Sequence, residues 1–200
     1  MRKYTAVDGV LDNPASRFWL DRRLRASASL VTKKNGRLLD IGCGEGHFLS
    51  RMMGLCPEIE LFGIDISKRN IAYVKKSVPT AKVYVQNAEK LHFGGSYFDC
   101  VSLLEVVEHF RNPSIIIMES RRVLKKGGEL IISMPDHSRF RWRLLWFLWT
   151  RSVGRRWAHF HQGKLDREGL VRLLEDNGFS IVLVRETLFR CIILVKARKN

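Results

Sequence analysis

The sequence predicts an α/β fold: a doubly wound, mostly parallel sheet of seven strands with an antiparallel last strand. Three observations carry this expectation. Short apolar, β-rich runs alternate with helix-patterned stretches along the whole chain. These runs show little of the polar alternation of a half-exposed strand, so both faces of the sheet should be covered by helices. The last two runs are separated by too little chain for a helical crossover, so they should pair antiparallel.

The elements follow in order. Strands are expected near 37–41, 59–65, 82–86, 98–103, 129–134, 179–185 and 189–197, with helices near 14–32, 46–54, 67–77, 112–125 and 166–177. The first strand is an apolar run that ends in Asp40, the glycines Gly42, Gly44 and Gly46 form a tight turn after it, and His47 opens a helix. The second strand ends in Asp65. Gly127-Gly128 after two lysines reads as one helix stop and Asn177-Gly178 as another. No internal repeat or low-complexity tract is present.

The glycine turn is the most informative segment. Glycine is needed where φ is positive or where a side chain would collide with a ligand, so Gly42 and Gly44 read as a floor and Gly46 as the helix entry. A dinucleotide fingerprint would place its third glycine five residues after the first, whereas Gly46 follows Gly42 by four. Asp40 before the turn suits a ligand that carries positive charge better than one that carries two phosphates. Asp65 stands where a doubly wound fold positions a carboxylate for ribose hydroxyls.

Four pieces in order, Leu-Asp-Ile-Gly-Cys-Gly-Glu-Gly (39–46), Gly-Ile-Asp-Ile-Ser (63–67), Asn-Ala-Glu-Lys-Leu-His-Phe (87–93) and Phe-Asp-Cys-Val-Ser-Leu-Leu-Glu-Val-Val-Glu-His (98–109), carry a family resemblance. From about Arg37 to Lys196 the chain resembles class I S-adenosylmethionine-dependent methyltransferases. The resemblance implies a Rossmann-like fold. It implies that Asp40, Gly42, Gly44 and Gly46 surround the methionine part of S-adenosylmethionine, that Asp65 binds the ribose, that Ile66, Asn87 and Ala88 flank the adenine, and that Cys43 and Leu104 also belong to the cofactor site. The family usually has Asp where this chain has Asn87, an amide that can still face the adenine edge.

Composition agrees. Two hundred residues, 46% of them hydrophobic, suffice for one domain spanning 1–200, with a basic helical segment at 1–36 and an insertion at 137–164. Cys43, Cys56, Cys100 and Cys191 form no Cys-x-x-Cys pair and lie mostly in apolar runs, so they are expected to be reduced core residues of a cytoplasmic protein. Cys43 reads as a small residue that fits its turn rather than as a nucleophile, since no base stands beside it. The polar amino terminus argues against a signal peptide, and no apolar stretch is long enough to span a bilayer.

Charge is local. Residues 1–36 hold eight Lys or Arg and three Asp, and residues 137–164 hold seven Lys or Arg and no acid, so these two segments carry +12 of the net +15. The cofactor-binding remainder is nearly neutral. The insertion reads Phe-Arg-Trp-Arg-Leu-Leu-Trp-Phe-Leu-Trp-Thr-Arg-Ser-Val-Gly-Arg-Arg-Trp from 140 to 157. As a helix it would set Trp142, Trp146, Trp149 and Val153 on one stripe. Tryptophan rings with arginine suit an in-plane helix on an anionic membrane surface, which would make the protein peripheral. A lid that packs its aromatics on the domain fits equally well. Arg17, Phe18, Trp19, Arg22, Arg23 and Arg25 repeat the theme on the first helix.

Nucleic acid is the competing partner, because a pI near 10.2 and arginines beside aromatics could hold a phosphate backbone. Against it, Leu104-Glu-Val-Val-Glu-His109 lacks the Asn-Pro-Pro-aromatic run of enzymes that methylate base amino groups. No Pro-Cys pair is present to attack a pyrimidine ring. A small-molecule or lipid-like acceptor is therefore favoured over RNA.

For the chemistry, a hydroxyl acceptor must lose its proton, and His109 just beyond the fourth strand is the best-placed base, with Glu108 beside it. Glu105-x-x-Glu108-His109 also resembles the motif of ubiquinone-pathway O-methyltransferases, where the matching Glu, Glu and His are associated with a divalent metal. The same letters occur widely among relatives with no known metal role, so a metal at Glu105, Glu108 and His109 ranks below the base. His161 and His159 are second catalytic candidates, or a lid hinge; His137 reads as a strand cap, and His47 and His92 as structural. The expected activity is methyl transfer to a small or lipid-like acceptor, most often through oxygen, with an RNA methyltransferase and a non-catalytic adenosylmethionine-binding adaptor as alternatives.

Overall fold

A computed structural model describes residues 14–136, 138–140, 142, 147, 151 and 165–200. Its elements in chain order are α1 (Pro14–Ala28), β1 (Gly36–Ile41), α2 (His47–Leu55), β2 (Ile59–Asp65), α3 (Lys68–Ser77), β3 (Lys82–Val85), β4 (Phe98–Leu104), α4 (Pro113–Val123), β5 (Leu124–Pro135), α5 (Arg167–Asp176), β6 (Phe179–Thr187) and β7 (Ile192–Lys199). The seven strands form one sheet in the order β3-β2-β1-β4-β5-β7-β6. Strands β1 to β5 pair parallel. The last strand, β7, runs antiparallel between β5 and β6, as the short connection before it requires.

Helices cover both faces because successive residues of each central strand bury to opposite sides. On one face Leu38, Leu61 and Cys100 pack with Leu24 of α1, Leu49 and Met52 of α2 and Val74 of α3. On the other, Leu39, Phe62 and Val101 pack with Ile116 and Ile117 of α4 and Leu170 and Leu174 of α5. Each fully buried Leu or Ile contributes about 1.5–3 kcal/mol, so this two-sided burial is what holds β1 and β4 at the centre. Local signals set the helix ends. Ser67 accepts a bond from the Asn70 amide at 3.3 Å and Asp166 one from the Gly169 amide at 2.8 Å, capping α3 and α5. The stop at Asn177-Gly178 forms as expected, with Gly178 at φ 76°.

Two expectations change. Gly127-Gly128 is not a helix stop: α4 ends at Val123, and both glycines lie inside β5, which begins at Leu124. The glycines serve a bulge, since pairing of β5 with β4 shifts register between Phe98 and Cys100, and a side chain at Gly128 would stand 2.8 Å from the Lys125 carbonyl. The first helix ends at Ala28, earlier than the pattern suggested.

Of the tryptophan stripe, the structure bears on one member. Trp142, its one member among the described residues, is only 9% exposed and joins the core beside Trp19, with ring centroids 6.4 Å apart. That ring is packed on the domain, not presented to a membrane; Trp146, Trp149 and Val153 lie outside the described residues. All four cysteines are buried and in no disulfide. Among the described residues no helix is long and apolar enough to cross a membrane.

Candidate active site

Parallel strands bring their carboxyl ends to one edge, which here collects Ile41, Asp65, Leu104 and Pro135. The chain winds outward from β1 to β3 and returns on the other side through β4, so the strand order reverses between β1 and β4. Open α/β sheets bind ligands in the crevice at that reversal. The glycine turn follows β1 and the Glu105–His109 segment follows β4, one on each side of it.

The turn has the conformation its glycines permit, with φ of 70°, 53° and 77° at Gly42, Gly44 and Gly46. A side chain at Gly42 would meet Val106 Cγ2 at 2.6 Å, whereas one at Gly44 would meet nothing within 4 Å. Gly42 is thus fixed by packing against the β4 side of the crevice, and Gly44 by its backbone and by the open space above it. The Gly44 amide donates to Asp65 Oδ2 at 2.9 Å, and the Ser67 amide donates to Asp65 Oδ1 at 2.7 Å. Each carboxylate oxygen keeps lone-pair capacity for a further hydroxyl donor.

Asp40 lies beneath the turn. It is 3% exposed and accepts a bond from the Ser102 hydroxyl at 2.6 Å. Burial lifts its pKa to about 7 and the Asp65 charge adds to the lift, while the Ser102 bond opposes it. Burial, with the charges of Asp40 and Asp65, also pushes the Cys43 thiol well above its ordinary value, which leaves Cys43 a neutral filler.

On the nucleoside side Ile66 is exposed after β2, Ala88 is half-buried against the second face of the core, and Leu104 is half-buried at the end of β4. Asn87 is exposed and already engaged: its Oδ1 accepts from the Glu89 amide at 3.0 Å and its Nδ2 donates to the Glu89 carboxylate at 3.3 Å. A cleft of about 430 Å³ lined by Phe62, Tyr84, Phe93 and Tyr97 lies beside the β3 edge, away from the glycine turn.

Beyond β4 the backbone is strained at Glu105, a non-glycine residue at φ 57°. Its carboxylate meets Arg23 of α1 at 3.4 Å and accepts from the Ser133 hydroxyl at 3.2 Å, so α1 is tied across the crevice. Val107–His109 form a 3-10 turn. Glu108 is 1% exposed, and its Oε2 has no hydrogen-bond partner among the described residues. Burial first, and the Glu105 charge second, hold the Glu108 carboxyl well above the usual carboxylate range. His109 is half-buried at the end of this turn, its amide bonded to the Val106 carbonyl at 3.1 Å.

This arrangement does not suit the metal set that the motif suggested. Glu105 is committed to Arg23 and Ser133, and the described residues contain no group of three or more His, Cys, Asp or Glu placed to hold an ion. His137, His159 and His161 lie outside the described residues.

Residues 12–184 match a family model described as a methyltransferase domain. This chain belongs to that methyltransferase family. The methyltransferase is 26% identical over 167 residues to a probable S-adenosylmethionine-dependent methyltransferase of Mycolicibacterium smegmatis, spanning 82% of this chain and 60% of that protein. It is 38% identical over 101 residues to a ubiquinone biosynthesis O-methyltransferase of Cereibacter sphaeroides, spanning 48% of this chain and 40% of the other. It is 30% identical over 173 residues to a tRNA U34 carboxymethyltransferase of Hahella chejuensis, spanning 76% and 53%. The methyltransferase therefore spans about two fifths to three fifths of the length of these relatives. A solved structure of a Pyrococcus horikoshii protein shares the fold with a TM-score of 0.75 at 22% identity, over 94% of this chain and 93% of that one.

The family's cofactor is S-adenosylmethionine. The residues present fit it: Gly44 leaves open space above the turn, Asp65 stands at the nucleoside side, and Asp40, its pKa lifted to about 7, supplies negative charge beneath the turn as it ionises. Three contributors escaped the sequence reading. Ser102 holds Asp40, Val106 fills the space that Gly42 vacates, and Arg23 reaches Glu105 from α1. A fourth, Ser67, had a local signal, as a polar cap two residues after Asp65.

Proposed function

We propose that this methyltransferase transfers the methyl group of S-adenosylmethionine to an oxygen nucleophile of a small, lipid-like acceptor met at an anionic membrane surface on the cytoplasmic side. The observation that carries the reading is the contact of Gly42 with Val106, which seats the Glu105–His109 segment directly against the cofactor turn. This reading puts the base, His109, beside the site of transfer. When bound, the cofactor supplies an activated methyl for in-line transfer. The chain's part is to hold the acceptor oxygen in near-attack geometry, to exclude water with α1, and to take the hydroxyl proton at the His109 imidazole. Burial first, and the Glu105 charge second, hold the carboxyl of Glu108, one residue before, well above the usual carboxylate range.

Support for an oxygen acceptor of apolar character comes from the relative named as a ubiquinone biosynthesis O-methyltransferase and from the arginine-rich, aromatic segments on the acceptor side. The four reduced cysteines support the cytoplasmic side. A second reading, an RNA acceptor, is favoured by the relative named as a tRNA U34 carboxymethyltransferase and by the net charge of +15. Methyl-labelled cofactor incubated with cell extract separates the two. Label in the organic phase supports the lipid reading, and label in RNA or in neither fraction overturns it.

A further inference from the structure

Three exposed phenylalanines come from segments far apart in the chain whose neighbouring residues touch one another. Phe18 of α1 is 54% exposed, Phe140 is 73% exposed and Phe189, in the turn between β6 and β7, is 71% exposed. Their neighbours connect them. Trp19, next to Phe18, packs on Trp142, two residues beyond Phe140. Arg139, next to Phe140, donates to Glu186 at 2.7 Å, and Glu186 also accepts from Arg190, next to Phe189. Pairing of Pro135 with Ile192 puts the β6–β7 turn at the carboxyl edge of the parallel strands, where Arg23 of α1 meets Glu105. The rim therefore borders the acceptor side of the site.

Phe189 is held out against backbone preference. Leu188, Phe189 and Arg190 have φ of 50°, 58° and 66°, a left-handed run that side-chain-bearing residues avoid. Leu188 is buried and anchors the turn, while the next ring is bare. The acids near the rim are already paired, Glu186 with Arg139 and Arg190, and Asp21 with Arg25 and Arg51. Arg22 lies over the Phe18 ring at 5.8 Å, and the segment from 137 to 164 contains no acid. The rim is thus positive with apolar prongs.

We infer that Phe18, Phe140 and Phe189 form the surface that enters an anionic lipid leaflet, with the arginines beside them on the lipid phosphates. This rests on the lipid-acceptor reading above and names the face that reading uses. Bare rings gain by leaving water for the acyl boundary, and flanking cations gain from the negative surface potential. The sequence pointed to tryptophans for this task, but Trp142 is spent on the core.

The test is flotation of the full chain with vesicles of phosphatidylcholine and phosphatidylglycerol, beside a Phe18→Ser, Phe140→Ser, Phe189→Ser variant, with calorimetric cofactor binding as the check on folding. The native chain should float, and the variant should partition at least roughly tenfold less with the same cofactor affinity. A variant that floats as well as the native chain overturns the rim while leaving a lipid acceptor standing. A native chain that does not float, yet labels detergent-extracted lipid, does the same. Retention on RNA at high salt without flotation overturns both. Should the triple variant lose cofactor binding, Phe140→Ser and Phe189→Ser singly are read the same way.

Discussion

The hydroxyl of Ser102 on β4 donates to the buried carboxyl of Asp40 on β1 at 2.6 Å, directly beneath the glycine turn. This bond joins the two strands where the sheet order reverses and fixes the orientation of the one acid under the cofactor site.

A pH dependence follows from it. Asp40 has its pKa raised from 3.8 to about 7, so between those values the folded chain keeps a proton that the unfolded chain has released. Stability from this group is fully present below the unfolded value and is lost as pH rises through about 7. Between pH 5 and pH 8 the unliganded native chain should lose about 2 kcal/mol relative to Asp40→Asn, measured by urea denaturation. Cofactor affinity should run the other way, rising as Asp40 ionises under a cationic ligand and staying flat in the variant. Parallel pH profiles for the two chains would contradict this role of Asp40.

Gly42 and Gly44 should respond differently to alanine. Both have positive φ, but only Gly42→Ala drives a methyl into Val106 at 2.6 Å. Gly44→Ala should cost about 1–2 kcal/mol of stability through backbone strain alone, yet weaken cofactor binding more than tenfold because its methyl occupies the open face. Gly42→Ala should destabilise more, about 2–4 kcal/mol. Equal stability loss at the two sites, in thermal melts, would show that the turn is packed differently.

His109→Ala should leave cofactor affinity nearly unchanged and lower turnover roughly 100-fold, as for loss of a general base. Chelator should leave native activity intact, because Glu105 is engaged by Arg23 and Ser133. Glu108→Gln, which keeps the shape of a neutral carboxyl, should shift stability by less than about 1 kcal/mol. Loss of activity on chelation would restore the metal set.

Trp142→Ser should destabilise the fold by about 3 kcal/mol, since the ring is 9% exposed and packs against Trp19. A tryptophan at headgroup depth would give no such loss. Denaturant midpoints with and without vesicles distinguish the two.

The sheet, its antiparallel last strand and the cofactor turn were legible because each has a local cause: an apolar run, a short connection, or a glycine that must take positive φ. Gly127-Gly128 misled because a glycine pair serves a bulge as readily as a helix end, and only the pairing of Phe98 with Leu124 decides between them. In sequence Trp142 stands open between a membrane face and the domain, because helical spacing places a ring on a stripe but does not say what the stripe faces; its packing on Trp19 decides for that ring. The Ser102–Asp40 and Arg23–Glu105 contacts join residues 62 and 82 positions apart, a separation across which sequence pattern carries no signal.

Calorimetric titration of S-adenosylmethionine into the native chain and into Asp65→Ala tests the central claim, that the turn and Asp65 together bind this cofactor. The native chain should bind S-adenosylmethionine and its demethylated product and ignore a nicotinamide dinucleotide. Asp65→Ala should lose about 1.5–3 kcal/mol, the contribution of charge-assisted bonds to the ribose and to the Gly44 amide. Tight nicotinamide dinucleotide binding, or an Asp65→Ala affinity equal to the native value, would contradict the claim.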